Sequence, residues 1–322
     1  MCIICEGKYF GKKEIECWSC SNIIKIPRIP GLKKLGCSGC KNITEIAIMP
    51  GLKELDCYGC KNLVTIPNIP GLESLNCGNC KSLTEIPNIH GLKHLECLGC
   101  EITEIPDIIG LEELWCGDCK NITKIPNITG LKILHCYNLS ITEIPFIKNL
   151  EVLVCQLCDN LKEIPCIPTL KDLDCSCSNN IVKITEMPNL VMVSCNGCKN
   201  LTTISVMPKL ITIFCVDCIN LKKIPNMPSL TELYCYDSRS LIKIPTPKEV
   251  ICHGCPWVEQ SQKFEENLSK LITLQKYVKK YHKLKICKLW VERDEFREWY
   301  YHPEGPGGIK AVLRLNNKTK NE

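Results

Sequence analysis

A repeat of about twenty residues runs through most of the sequence. One copy, residues 51–70, reads GLKELDCYGCKNLVTIPNIP, and its frame of leucines, paired cysteines and Ile-Pro returns along the chain as far as Cys235. A period of this length is typical of solenoid proteins, in which each unit packs only on its neighbours. The repeat therefore predicts a stack of similar units, and it constrains the fold more than any other feature.

Each repeat carries the signals of one short strand followed by an extended arc. Leu55 and Cys57 alternate with polar residues, which predicts a strand with these two side chains inward. Pro67 and Pro70 exclude a helix from the return segment, because proline fixes φ and biases the residue before it toward extended geometry. Gly71 marks the tight turn into the next strand. We expect a β-rich solenoid with a parallel concave sheet and an extended convex side.

The repeat also divides the chain into three regions. Residues 1–16 form an irregular first unit, which we expect to be an N-terminal cap because a terminal repeat exposes one face. Residues 17–255 contain the array of about twelve to thirteen units. Residues 256–322 lose the period, and apolar residues at helical spacing from Phe264 to Leu289 predict a helical C-terminal cap before a polar tail.

Cysteine is frequent, with 28 copies, while the formal net charge is only +5 and residues 1–255 carry equal numbers of basic and acidic residues. The cysteines recur at the repeat period, unlike those of a small secreted disulfide scaffold. The first residues lack the basic flank and apolar core of a signal peptide, and no apolar run has the length of a membrane span. We expect a cytoplasmic protein.

The paired cysteines have three interpretations. We favour small apolar core residues, since free cysteine is among the most buried residue types. Stacked units would also bring four sulfurs within reach of one zinc ion, but zinc requires thiolates and an apolar core keeps thiols neutral. Disulfides are the third interpretation and conflict with a reducing compartment. We expect no cofactor; the best metal candidates are Cys252 and Cys255 with His253, at the end of the array near solvent.

The repeat frame resembles that of leucine-rich repeat proteins. The pattern L-x-x-L-x-L-x-x-[N/C]-x-L is filled by Leu52, Leu55, Cys57, Cys60 and Leu63, with cysteine replacing an apolar strand residue. The short Pro-rich form is similar to the repeats of bacterial effectors. The doubled cysteine and the segment EWYYHPEGPGG are similar to leucine-rich repeat proteins of giant amoeba-infecting DNA viruses. The resemblance implies a horseshoe used as a binding scaffold, in the host cytosol if the protein is viral.

Enzymatic activity has little support in the sequence. Histidines such as His94 have no serine or cysteine partner at a recognisable motif spacing. Effectors with similar repeats carry a large ubiquitin-ligase domain whose nucleophile lies in a Cys-x-Asp motif. Cys215-Val-Asp217 and Cys235-Tyr-Asp237 match that string but belong to strands, and the segment after Trp257 is short. We predict a non-enzymatic protein, or alternatively an adaptor that recruits host signalling or ubiquitination machinery.

The outward positions of the strands change character along the array. Early units present polar residues such as Lys34 and Glu54, whereas later units present apolar and aromatic ones. Exposed contiguous apolar surface usually marks a partner site, although repeat drift or a contact with the C-terminal helices would also explain it. We predict that a protein partner docks on this concave surface. The predicted partner-binding residues are Trp115, Ile133, His135, Tyr137, Val154, Phe214, Tyr234 and Tyr236.

A group of lysines in the C-terminal region supports a competing interpretation. Six lysines between Lys276 and Lys288 lie near Tyr277 and Tyr281, and a helix of this kind could contact nucleic acid or an acidic membrane surface. Most such runs are solvated helix faces, and the following acidic residues, from Glu292 onward, offset the charge. We therefore favour a protein partner over nucleic acid.

Overall fold

The structure is a computed structural model that describes residues 2–245, 247, 249–252 and 254–255. Within these residues, thirteen short strands form one parallel sheet, and they pair in the order in which they occur along the chain. Their bounds are Glu14–Glu16, Lys34–Gly36, Glu54–Asp56, Ser74–Asn76, His94–Glu96, Glu113–Trp115, Ile133–His135, Val152–Val154, Asp172–Asp174, Met192–Ser194, Thr212–Phe214, Glu232–Tyr234 and Glu249–Ile251. This main sheet, the predicted concave sheet, confirms a parallel β-solenoid.

Equivalent residues of neighbouring units face each other across the main sheet. Leu55 pairs with Leu75 in the next unit. The unit that follows Cys97 is one residue shorter, yet Leu95 still pairs with Leu114. The turn after the strand absorbs the deletion, so side chains at the same repeat position form straight columns along the stack.

The core is a continuous column of leucine, isoleucine and cysteine side chains. In one unit it contains Leu55, Cys57, Cys60, Leu63 and Ile66, all buried. Full burial of one leucine or isoleucine contributes about 1.5–3 kcal/mol, and each unit repeats this contribution against its neighbours. The prediction that Leu55 and Cys57 point inward is confirmed.

The return arcs are extended, and the structure has no helix in the part of the chain that it describes. Short parallel strands appear where the proline of Ile-Pro is replaced: the backbone N–H of Ala47 donates to the Ile26 carbonyl (3.0 Å), and that of Ser205 donates to Ile184 (3.0 Å). Proline at this position has no N–H, so most arcs do not pair. The bounds of these strands are Lys25–Ile26, Glu45–Ile46, Lys183–Ile184 and Thr203–Ile204.

Residues 3–11 form a series of turns before the first strand, with Ile4 buried against the core. The predicted helical C-terminal cap and polar tail, residues 256–322, lie outside the described residues. Among the residues that are described, none forms a helix with the length and apolarity needed to cross a bilayer.

Candidate functional site on the main sheet

Three columns of outward side chains cover the main sheet. The first and third residues of each strand form the first and second columns, and the residue two positions after the strand forms the third. In one unit these are Glu113, Trp115 and Gly117. Neighbouring strands lie about 4.8 Å apart, so side chains within a column touch.

Two pairs of stacked rings lie in the second column. The rings of Trp115 and His135 have centroids 4.0 Å apart and an interplanar angle of 2°. Those of Phe214 and Tyr234 have centroids 4.6 Å apart at 13°. Trp115 is 36% exposed, and the other three side chains are half-buried. We call these pairs the Trp115 stack and the Phe214 stack; each presents an accessible aromatic surface on a rigid strand.

A belt of polar residues separates the two stacks, which corrects the prediction of one apolar surface. The second column passes from Val154 through Asp174 and Ser194 to Phe214. Burial, together with the neighbouring Asp174 carboxylate, raises the pKa of Asp172 in the adjoining column. The predicted surface contained apolar residues alone, and the strand register shows that aspartate and serine interrupt them.

The third column places two tyrosine rings over glycines. A Cβ atom at Gly117 would lie 2.4 Å from Cε1 of Tyr137, and one at Gly78 would lie 3.0 Å from Cδ2 of Tyr58. The two rings border a depression of about 410 Å³ that Leu98 also lines. The repeat frame predicts Tyr58 as an outward residue, but it was not among the predicted partner-binding residues; the signal that distinguishes it is a glycine at the same repeat position in the next unit.

The outward face of the main sheet is strongly acidic. The first and second columns contain ten carboxylates and one lysine, Lys34. Lys34 pairs with Glu54 (3.1 Å), and His94 Nδ1 lies 3.3 Å from Glu113. Burial and the charge of Asp56 raise the pKa of Glu96. The ten carboxylates belong to Glu14, Glu16, Glu54, Asp56, Glu96, Glu113, Asp172, Asp174, Glu232 and Glu249.

Lysines and glutamates alternate in ion pairs at the position immediately before the strands, outside these columns. Lys53 forms an ion pair with Glu73 (2.6 Å), and Lys132 with Glu112 (2.5 Å). Each of these four side chains is more than a third exposed, so solvent screens the pairs and they contribute little to stability. They neutralise one another along the edge, and the face of the main sheet keeps its negative charge.

The remaining predicted partner-binding residues lie beside the stacks. Ile133 pairs with Val152 in the first column, next to the Trp115 stack. Tyr137 and Tyr236 are half-buried in the third column. The prediction thus combined residues from three columns and from two separate stacks.

The paired cysteines form a hydrogen-bonded ladder inside the stack. The Cys60 thiol donates to the carbonyl of Cys37 in the preceding unit (3.2 Å), and Cys80 donates to Cys57 (3.1 Å). Serine takes the place of the second cysteine in two units, and the Ser178 hydroxyl donates to the Cys155 carbonyl (2.8 Å). A serine replacement keeps the hydrogen bond but not a metal-ligating thiolate, so this position serves as a donor.

Burial also keeps the first cysteine of each unit protonated, with or without a second cysteine after it. It raises the pKa of Cys116, Cys136 and Cys155 well above that of a free thiol. At the end of the array, the Cys255 thiol donates to the Cys235 carbonyl (2.8 Å), as a member of the ladder does. Its predicted metal-binding neighbour Cys252 is half-buried, and His253 lies outside the described residues.

No protein-family model matches the sequence, and no curated protein is significantly similar to it. The crystal structure of a leucine-rich repeat protein from Bacteroides ovatus ATCC 8483 is similar at 18% identity, covering 74% of this chain and 77% of that chain, with a TM-score of 0.40. A TM-score this low does not establish a common fold, so the assignment of a β-solenoid rests on the strand register.

Proposed function

We propose that the protein is a non-enzymatic scaffold of the leucine-rich repeat type, and that the outward face of its main sheet binds a basic protein partner. The observation that carries the proposal is the combination of exposed aromatic stacks with ten carboxylates on one face. Aromatic anchors surrounded by charged residues are typical of protein interfaces. The acidic face favours a partner that supplies lysine and arginine.

The stacks supply the anchoring surface. An aromatic side chain buries about 150–250 Å² when it is covered, and aromatic anchors with their surroundings carry most of the energy of many interfaces. The Trp115 and Phe214 stacks stand on adjacent segments of one rigid sheet, separated by the polar belt. An elongated partner that covers both would place its basic residues over Asp172 and Asp174.

The negative charge of the face favours a basic protein over nucleic acid or an acidic membrane surface as the partner. Carboxylates repel the phosphates of nucleic acids and of acidic lipids, whereas they accelerate association with a basic protein. The nucleic-acid alternative rests on the lysines between Lys276 and Lys288, which lie outside the described residues. An adaptor that recruits host signalling or ubiquitination machinery would use the same face, so it is a special case of the proposal.

The test compares three forms of the full-length protein as bait. Wild type, a Trp115→Ala/Phe214→Ala variant and a Phe146→Ala variant are each used to purify proteins from an amoebal lysate, because the repeats resemble those of amoeba-infecting viruses. Phe146 is 51% exposed on a return arc and is the matched control. We expect a basic protein to bind wild type and the control, and to bind the double variant at least about tenfold more weakly.

Two further observations decide the outcome. The dissociation constant of the purified pair should rise with salt and on reversal of charge in Asp172→Lys/Asp174→Lys, because both changes weaken attraction to a basic surface. A partner that binds all variants equally, or one that is acidic, would refute the proposed face.

A further inference from the structure

We propose that Cys2, Cys5, Cys17 and Cys20 bind one zinc ion that fastens the N-terminal segment to the first unit of the solenoid. The first pair lies in the segment before the first strand, and the second pair follows that strand. The proposal is independent of the function of the main sheet. It concerns a site at the end of the stack.

The sulfur atoms already lie at distances that suit a shared ion. Sγ of Cys5 is 3.5 Å from Sγ of Cys2 and 3.5 Å from Sγ of Cys20. The sulfurs of Cys2, Cys17 and Cys20 all lie within 4.8 Å of one another. A tetrahedral Zn²⁺ site with Zn–S bonds near 2.3 Å has S···S edges of about 3.8 Å. Sγ of Cys5 lies outside this group of three, so the Cys5 side chain must move toward Cys17 by about 1 Å or more to complete the tetrahedron around the ion.

This arrangement differs from that of every other described cysteine pair. Of the residues that the structure describes, only Cys2, Cys17 and Cys20 form a group of three or more potential ligands with all ligand atoms this close together. Further along the stack, the thiol of the second cysteine donates a hydrogen bond to a carbonyl of the preceding unit, as that of Cys40 does to Cys17 (2.9 Å). Cys20 belongs to the first strand's unit and has no preceding strand, so its sulfur faces Cys5 instead.

The N-terminal segment also has few other attachments. Ile4 is the one buried residue among residues 2–13. The backbone hydrogen bonds given for residues 2–12 stay within the segment, from Glu6 N–H to Cys2, Gly7 to Ile4, Lys8 to Ile3 and Lys12 to Tyr9. One buried isoleucine, with Cys2, Ile3 and Tyr9 partly buried against the core, offsets only part of the entropy of ordering ten residues. A metal ion shared by the segment and the first unit supplies the missing attachment.

The choice of zinc follows from the ligand chemistry. The spacing Cys-x₂-Cys-x₁₁-Cys-x₂-Cys consists of two close pairs, as in structural zinc sites, and soft thiolates exclude magnesium and calcium. Binding converts four thiols to thiolates, so one Zn²⁺ enters and four protons leave, with no change of oxidation state. Cys5 is exposed, and Cys2 and Cys20 are half-buried, which gives the ion access from solvent.

The experiment measures metal content in the full-length protein under reducing conditions. Wild type, Cys2→Ser/Cys5→Ser, and a Cys166→Ser control are purified, loaded with ZnCl₂ and desalted, and zinc is then measured by elemental analysis. Cys166 is an exposed cysteine outside the ladder. We expect about one zinc per chain in wild type and control, and a loss of at least about tenfold in the double variant.

A second measurement does not depend on the folding of a variant. Wild-type protein stripped of metal and titrated with Co²⁺ should develop the strong visible absorption of a tetrahedral cobalt–thiolate centre, with an end point at about one equivalent. Absence of this absorption together with zinc below stoichiometry would overturn the proposal. Zinc that persists in the double variant and is lost in Cys252→Ser would also overturn the proposal, because this result would place the ion at the C-terminal end of the array.

Discussion

The same Cys-x-x-Cys motif occurs in two different surroundings in this molecule. Cys57 and Cys60 lie between two units, fully buried, and the Cys60 thiol donates to a backbone carbonyl. Cys17 and Cys20 have a strand on one side alone and face the sulfurs of the N-terminal segment on the other. In the interior, a neighbouring unit supplies the hydrogen-bond acceptor and excludes water. At the N-terminal end of the stack, the thiols of Cys2 and Cys5 stand where that acceptor would be, so the sulfurs of the motif can bind a metal ion.

The comparison shows that the role of a repeated motif depends on its neighbours. A thiol surrounded by apolar side chains stays protonated because ionisation without a partner is costly. A thiol among other thiols near solvent can lose its proton to a metal ion. Cysteine content alone therefore does not distinguish a structural core from a metal site.

The largest expected effect concerns the buried thiols of the interior. Burial raises the pKa of Cys116, Cys136 and Cys155 above the 9.0 of a free thiol, so the unfolded chain releases these protons at a lower pH than the folded chain. The contribution of these thiols to the free energy of unfolding is therefore fully present below pH 9.0, and it falls as pH rises above that value. Each thiol lowers the free energy of unfolding by about 1.4 kcal/mol per pH unit, and the three together lower it by about 4 kcal/mol per pH unit.

Denaturant unfolding between neutral and alkaline pH, with reductant present, measures this slope. A Cys116→Val variant removes one titrating thiol at similar volume, and its slope should be smaller by about 1.4 kcal/mol per pH unit. A slope that does not change in this variant would mean that the interior thiols do not titrate as the buried ladder requires.

A smaller effect separates the hydrogen-bond role of the second cysteine from its size. Cys60→Ala removes the thiol donor to the Cys37 carbonyl, which keeps the backbone N–H of Cys40 (3.2 Å), and leaves a small cavity in place of the sulfur. We expect a loss of about 1–3 kcal/mol in the free energy of unfolding from the lost hydrogen bond and the cavity together. Cys60→Ser should lie within about 1 kcal/mol of wild type, because Ser178 and Ser238 already fill this position elsewhere. Equal losses in the two variants would contradict the donor role, and neither variant should alter zinc content.

Much of the fold could be predicted from the sequence, because its signals are local. The alternation around Leu55 and Cys57 indicated the strand, and Pro67 excluded a helix from the return arc. The φ of Gly71 is +82°, a value that L-residues with a Cβ rarely adopt, which explains the glycine at the turn. These features depend on residues a few positions apart and do not require knowledge of the stack.

The details of the candidate site depend on contacts between units and were harder to predict. Asp174 and Ser194 precede Cys175 and Cys195 as Trp115 precedes Cys116, so the repeat frame already indicated that polar residues interrupt the apolar ones. The acidic face was hidden because lysines elsewhere in the repeats make residues 1–255 neutral overall. Serine at positions 178 and 238 was the available signal for the donor role of the second cysteine.

The sulfur cluster at the N-terminus needed three-dimensional information. The sequence indicated an irregular first unit but not which way the side chains of Cys2 and Cys5 turn. Because the segment forms turns and no strand, periodicity gives no orientation for its residues. The close approach of Cys5 to Cys20 follows from those turns.

Alkylation of cysteines in the native protein, with and without a zinc chelator, tests the difference between the two surroundings most directly. Mass spectrometry of the peptides identifies which cysteines have reacted. In zinc-loaded protein we expect rapid modification of Cys166 but not of Cys5, although both are exposed. The chelator should release Cys2 and Cys5 for reaction while Cys57 and Cys60 stay protected until the stack unfolds. Rapid modification of Cys5 in the zinc-loaded protein, or of Cys60 on chelation, would contradict the account.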